Sequence, residues 1–259
     1  LRLSSTLARE QAFREARREK AEADRQADPT RAVAPVWLGE GIDIVNSSVS
    51  PDGRWLIVVT EPKGADKGRV GKMPKYVTES GYEEAEDVRT RVGRNPPLGQ
   101  ALKLVGLADG SVRDLPLSSL PGIDRDPLAA LRKQAGQPAL EGERRVRIEA
   151  IQWSVESGEV ALMARAVDNK DRWIATVDFD AARLQPAHRL TDPAWINWNF
   201  NDFGWLPGGR TLWLLSEESG YSHLYTVVPG QPAQRLTSGR WEASSPQWSP
   251  DGSTAYFLC

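Results

Sequence analysis

The stretch Gly220-Tyr221-Ser222-His223 sets a serine two residues after a glycine and directly before a histidine, a combination that could support nucleophilic chemistry. A nucleophile elbow needs Gly-x-Ser-x-Gly on a tight strand-to-helix turn, so that small neighbours let the hydroxyl stand clear. Here Leu224 occupies the second glycine position, and the residues that follow Ser222–His223, LYTVV, are a β-branched and aromatic run suited to a strand. Glu217-Glu218-Ser219-Gly220 therefore reads as the tip of a hairpin, and Ser222 as a turn residue. His188 and His223 have no metal-ligand spacing to each other or to Cys259, and both are read as structural. Gly39-Glu40-Gly41 lacks the third glycine of a dinucleotide fingerprint, and no phosphate loop occurs. No catalytic residue, metal site or cofactor is expected within this sequence.

The elements around these residues repeat. Trp248-Ser-Pro-Asp-Gly252, Trp205-Leu-Pro-Gly-Gly209, Trp153-Ser-Val-Glu-Ser-Gly158 and Val49-Ser-Pro-Asp-Gly53 each set turn-forming residues before an apolar, β-rich run. A second landmark recurs as His188-Arg-Leu-Thr191 with Trp195 and Gln234-Arg-Leu-Thr237 with Trp241, in both cases 46 residues on. Trp205 and Trp248 are 43 apart. A period of this length carrying about four short strands per unit is the signature of β-propeller blades. The expected fold is all-β: a partial propeller of about three complete four-stranded blades plus partial ones, preceded by a charged helix. One blade is expected to run through Thr211–Ser216, His223–Val228 and Ala233–Leu236, and an earlier one through Glu159–Ala166, Arg172–Val177 and His188–Leu190.

Two segments interrupt the period, one between Thr60 and Gln100 and one between Pro116 and Arg145. Insertions of this length are expected to be functional or contact-making loops. Ser5–Asp28 favours a helix charged all round, with Glu10–Arg14, Arg18–Glu22 and Lys20–Asp24 spaced i,i+4, and Pro29 ends it. Residues 1–34 are accordingly expected to form a helical arm or linker, and 35–259 the propeller portion.

Composition narrows the partners. The 33 basic and 35 acidic side chains leave a net charge of −2, so no global field recruits nucleic acid or an anionic membrane. No apolar run approaches the ~18 residues of a spanning helix, and the single Cys259 permits no internal disulfide. The sequence opens on Leu1 and closes on STAYFLC inside an apparent strand, as expected of a fragment of a longer chain.

Three motifs then carry a family resemblance. LLSEESGYSHLYTV resembles the Ser-x-Glu-x-Gly-Tyr-x-His hairpin in the propeller of dipeptidyl peptidase IV and its bacterial relatives in the prolyl oligopeptidase family. Val88-Arg-Thr-Arg-Val-Gly-Arg-Asn-Pro96 with Leu102-Lys-Leu-Val105 is similar to the family's Val-Arg-x-x-x-Gly-x-x-Asn-Pro segment, and SPDGRWLIVVT lies upstream of it in the family's order. The resemblance covers roughly 35–259. It implies a propeller capping an α/β-hydrolase domain that holds the Ser-Asp-His triad, in a peptidase that gates and positions short peptides. The hydrolase part is not in this sequence. The partners so implied are a peptide substrate and the hydrolase domain of the same full-length chain, in a periplasmic or secreted protein. The family's dipeptidyl peptidases hold the substrate's amino terminus with a Glu-Glu pair just upstream of the Ser-Pro-x-Gly turn, where two anions can hold an ammonium. In Val36-Trp-Leu-Gly-Glu-Gly41 only Glu40 matches, with Gly41 in the second place; Glu83-Glu84, inside the first insertion, would supply a pair. The alternative is a TolB-like propeller acting as a protein-binding module, since Ser-Pro-Asp-Gly turns also occur there.

Overall fold

Strand-forming residues and turn residues alternate along the chain, and the structure, a computed structural model describing residues 2–28, 35–64, 69–90 and 97–259, folds them into successive antiparallel meanders. The first blade contains β1 (Ile42–Val49), β2 (Trp55–Pro62), β5 (Ala101–Gly106) and β6 (Val112–Leu115), with a separate hairpin of β3 (Val70–Lys75) and β4 (Glu84–Thr90) springing from between β2 and β5. The second blade is β7 (Val146–Trp153), β8 (Val160–Ala166), β9 (Asp171–Asp178) and β10 (Arg183–Thr191). The third is β11 (Phe203–Trp205), β12 (Leu212–Ser216), β13 (His223–Val227) and β14 (Gln234–Arg235), and the two strands β15 (Ser244–Trp248) and β16 (Ala255–Leu258) begin a fourth. Among the described residues this is an open arc of three four-stranded sheets and a partial one, as the repeat predicts. A helix, α1 (Arg2–Ala27), precedes it, with Glu10–Arg14 and Lys20–Asp24 pairs along its exposed surface. No helix is long and apolar enough to cross a membrane.

The second and third strands of the second blade are buried on both faces, because that blade lies between two neighbours. Period-two alternation then sends successive side chains into different cores. Val160, Leu162 and Ala164 of β8 join Ile57, Leu104 and Trp173 in the core between the first two blades. Ala161 and Met163 of the same strand join Leu212, Leu214 and Tyr225 in the next. Trp213 and Leu215 of β12 point onward again, to Leu224, Trp241, Trp248 and Phe257. β1 has no blade before it among the described residues and is mostly exposed, including Ile44 and Val49.

Antiparallel connection gives the arc two rims. The turn rim carries the links from first to second strand. There Ser50 and Ser249 make the same network: each hydroxyl donates to the aspartate two residues on (2.6 Å in both) and accepts the backbone N–H five residues on, while Gly53 and Gly252 both sit at φ +69°. These bonds hold the carboxyls of Asp52 and Asp251 down at about 2. Indoles tie adjacent first strands: Trp153 donates to Ser48 Oγ (2.9 Å) and Trp205 to the Gln152 carbonyl (2.9 Å). The opposite rim, called here the crossover rim, carries every second-to-third-strand link and every passage from one blade to the next.

Both insertions emerge at the crossover rim, and they differ. The segment from Pro116 to Arg145 contains a 3-10 turn (Leu117–Ser119) and the short helix α2 (Ala129–Gln134). It buries Leu120 and Ile123 in the first inter-blade core, and the Pro121 carbonyl accepts the Trp173 indole N–H at 3.0 Å. It is therefore a contact-making segment, a plug that completes a core. The β3–β4 hairpin is the reverse: Met73, Tyr76, Val77 and Tyr82 are all more than half exposed. The match of Val88–Pro96 to the family segment falls partly on residues 91–96, outside the described residues, whereas Leu102–Val105 lies in β5 as expected.

Candidate functional site

The crossover rim carries the three candidate acids and a buried polar cluster. Glu40 lies between Gly39 (φ +117°) and Gly41 (φ +66°), exposed, immediately before β1. The Gly41 carbonyl accepts the Lys63 N–H at 2.8 Å, which places Glu40 at the root of the β3–β4 hairpin. Glu83 and Glu84 lie at the hairpin's far end, where Lys75 faces Glu84 and Ser80 donates to the Glu84 carboxylate at 2.8 Å. The strand pairing from Val70↔Thr90 to Lys75↔Glu84 spans five residue steps, or roughly 17 Å at strand rise. The three acids thus share a rim but sit on two separate structures, Glu40 at the root and the adjacent pair near the tip.

The most ordered polar cluster of this rim joins the second blade to the third. Arg172 on β9 is fully buried, and its Nη1 donates to Asn201 Oδ1 (2.7 Å) and to the Leu215 carbonyl (2.8 Å). Its Nη2 faces His188 Nδ1 at 3.3 Å. Because a guanidinium can only donate, Nδ1 is the acceptor, and the imidazole proton is assigned to Nε2, from which it is donated to Glu218 Oε2 at 2.9 Å. Burial pulls the Arg172 guanidinium down to about 10, opposed by the charges of Glu218 and Glu217. A guanidinium, an imidazole and a carboxylate thus form one hydrogen-bonded chain that clamps the Glu217–Glu218 turn against β9 and β10.

The two neighbouring carboxyls respond to this clamp in opposite senses. The His188 hydrogen bond holds Glu218 below its ordinary 4.5, whereas burial pushes Glu217 above it, opposed by a hydrogen bond from Asn197. A depressed carboxyl contributes stability that is complete above about 4.5 and is lost as pH falls through its folded-state value; a raised one contributes stability at low pH that is lost as pH rises. Glu218→Gln should therefore lower the thermal midpoint at pH 7 and remove part of its decline in acid, while Glu217→Gln should raise the midpoint at pH 7 and leave it unchanged near pH 4. Thermal unfolding of both variants across this range checks the signs, and a shift in the same direction at pH 7 would contradict the assignment.

Ser222 is also part of a blade-to-blade tie. It is fully buried, its hydroxyl donates to the Ala243 carbonyl at 2.8 Å, its N–H donates to the Glu242 carboxylate, and Ala243 N–H returns to the Ser222 carbonyl at 2.8 Å. His223 is turned to Thr237 Oγ1 (3.1 Å) and the Gly239 carbonyl (3.2 Å). Both residues hold structure, as the sequence predicts. The Arg172–His188–Glu218 clamp was not foreseen; its only sequence signal is the adjacent pair of opposite charges, Asp171-Arg172, opening an apolar strand.

Residues 135–259, just under half of the chain, match the family model described as the dipeptidyl peptidase IV (DPP IV) N-terminal region. No curated protein matches the chain. Among solved structures it is similar to the dipeptidyl peptidase 4 of Porphyromonas gingivalis, at 19% identity over 77% of this chain and 25% of that one, with a TM-score of 0.49. It is also similar to a dipeptidyl aminopeptidase IV of Bacteroides ovatus (15% identity, 82% of this chain, 31% of that one, TM-score 0.48) and to TolB of Acinetobacter baumannii (15%, 83%, 37%, TM-score 0.38). The chain spans between a quarter and a third of the length of these two peptidases. The matched segment takes in the whole second and third blades, including the SEESGYSH hairpin. Over residues 135–259 the chain is similar to the N-terminal region of dipeptidyl peptidase IV.

Proposed function

We propose that this chain is the propeller region of a serine peptidase that cleaves short peptides, and that it gates and positions them for a triad in an α/β-hydrolase domain of the same full-length chain. The match of residues 135–259 to the dipeptidyl peptidase IV N-terminal region carries this reading. In it the crossover rim faces the hydrolase domain, because Glu40, Glu83, Glu84 and the exposed β3–β4 hairpin all belong to that rim. Glu40 receives the substrate's ammonium, and its position between two glycines of positive φ leaves it free of side-chain neighbours on either side.

In the full-length enzyme, Glu40→Gln should lower kcat/KM about ten- to a hundredfold for dipeptide substrates with a free amino terminus, and leave amino-blocked substrates nearly unchanged. Equal loss for both would make Glu40 structural. Loss confined to Glu83→Gln or Glu84→Gln would move the ammonium site to the hairpin. A full-length chain with no hydrolase domain would instead favour a TolB-like binding module.

A further inference from the structure

We draw no further inference here: the strongest candidate, the β3–β4 hairpin of the crossover rim with Met73, Tyr76, Val77 and Tyr82 open to solvent, carries nothing because nothing in the structure shows what covers it.

Discussion

Arg172→Met should cost about 3–5 kcal/mol of unfolding free energy, the range for breaking one partner out of a buried charged network. Methionine fills much of the space but cannot donate. The substitution leaves Asn201 Oδ1, the Leu215 carbonyl and His188 Nδ1 facing an apolar side chain, each with the desolvation cost of an unmet acceptor. It also removes the positive charge that compensates Glu217 and Glu218 beneath the third blade. Arg172→Lys should recover little, because a single ammonium cannot reach the three acceptors that the planar fork serves together. Chemical denaturation of the variants checks this. A loss below about 1 kcal/mol for Arg172→Met would mean that the clamp is solvated and contributes as an ordinary surface pair does.

A loss of the same size, about 3–5 kcal/mol, is expected for Asp171→Asn. The Asp171 side chain is 1% exposed and accepts from two arginines, Arg144 Nη1 at 2.7 Å and Arg189 Nε at 2.6 Å. Arg144 is itself 3% exposed and lies over the Trp173 ring, with Asp168 at 3.7 Å as its other acid. Gly122 of the second insertion presses on Arg189, with space for no Cβ, so the network also seats the plug that buries Leu120 and Ile123. Asparagine keeps the volume and one acceptor but removes the charge, so the loss reads the ion pairs rather than packing. The change should therefore loosen residues 117–134 before the blades separate, visible as early amide exchange in that segment during denaturant titration. Unfolding of the blades with no earlier exchange in the plug would contradict the linkage.

Much of the architecture is legible in the sequence because it is local. The Ser-Pro-Asp-Gly turns specify their own hydrogen bonds within six residues, as the matching Ser50 and Ser249 networks demonstrate. The 43- to 46-residue spacings then set one blade after another, and the strands expected at Thr211–Ser216 and Glu159–Ala166 are β12 and β8 with ends moved by one residue. What is not legible is non-local. The Pro116–Arg145 segment has the length of a functional loop, and only the positions of Trp173 and Arg189 on a neighbouring blade make it a plug. His188 and Glu218 stand 30 residues apart on different blades, with no motif linking them. Arg172 opens a run that reads as an apolar strand, and its burial follows from the loop residue Asn201 and the Leu215 carbonyl arriving from the third blade. For the acids at the crossover rim, the sequence locates Glu40 before the first turn and Glu83-Glu84 within the insertion, while their separation to the root and tip of one hairpin follows from the β3–β4 register.

The reading of this chain as the non-catalytic part of a serine peptidase is tested most directly by treating the full-length protein with a serine-directed fluorophosphonate and mapping the label by mass spectrometry. A single labelled serine outside these 259 residues is the expected result, with Ser222 untouched because its hydroxyl is buried and donated to the Ala243 carbonyl. Label on Ser222, on any other serine within residues 1–259, or on no serine at all would contradict it.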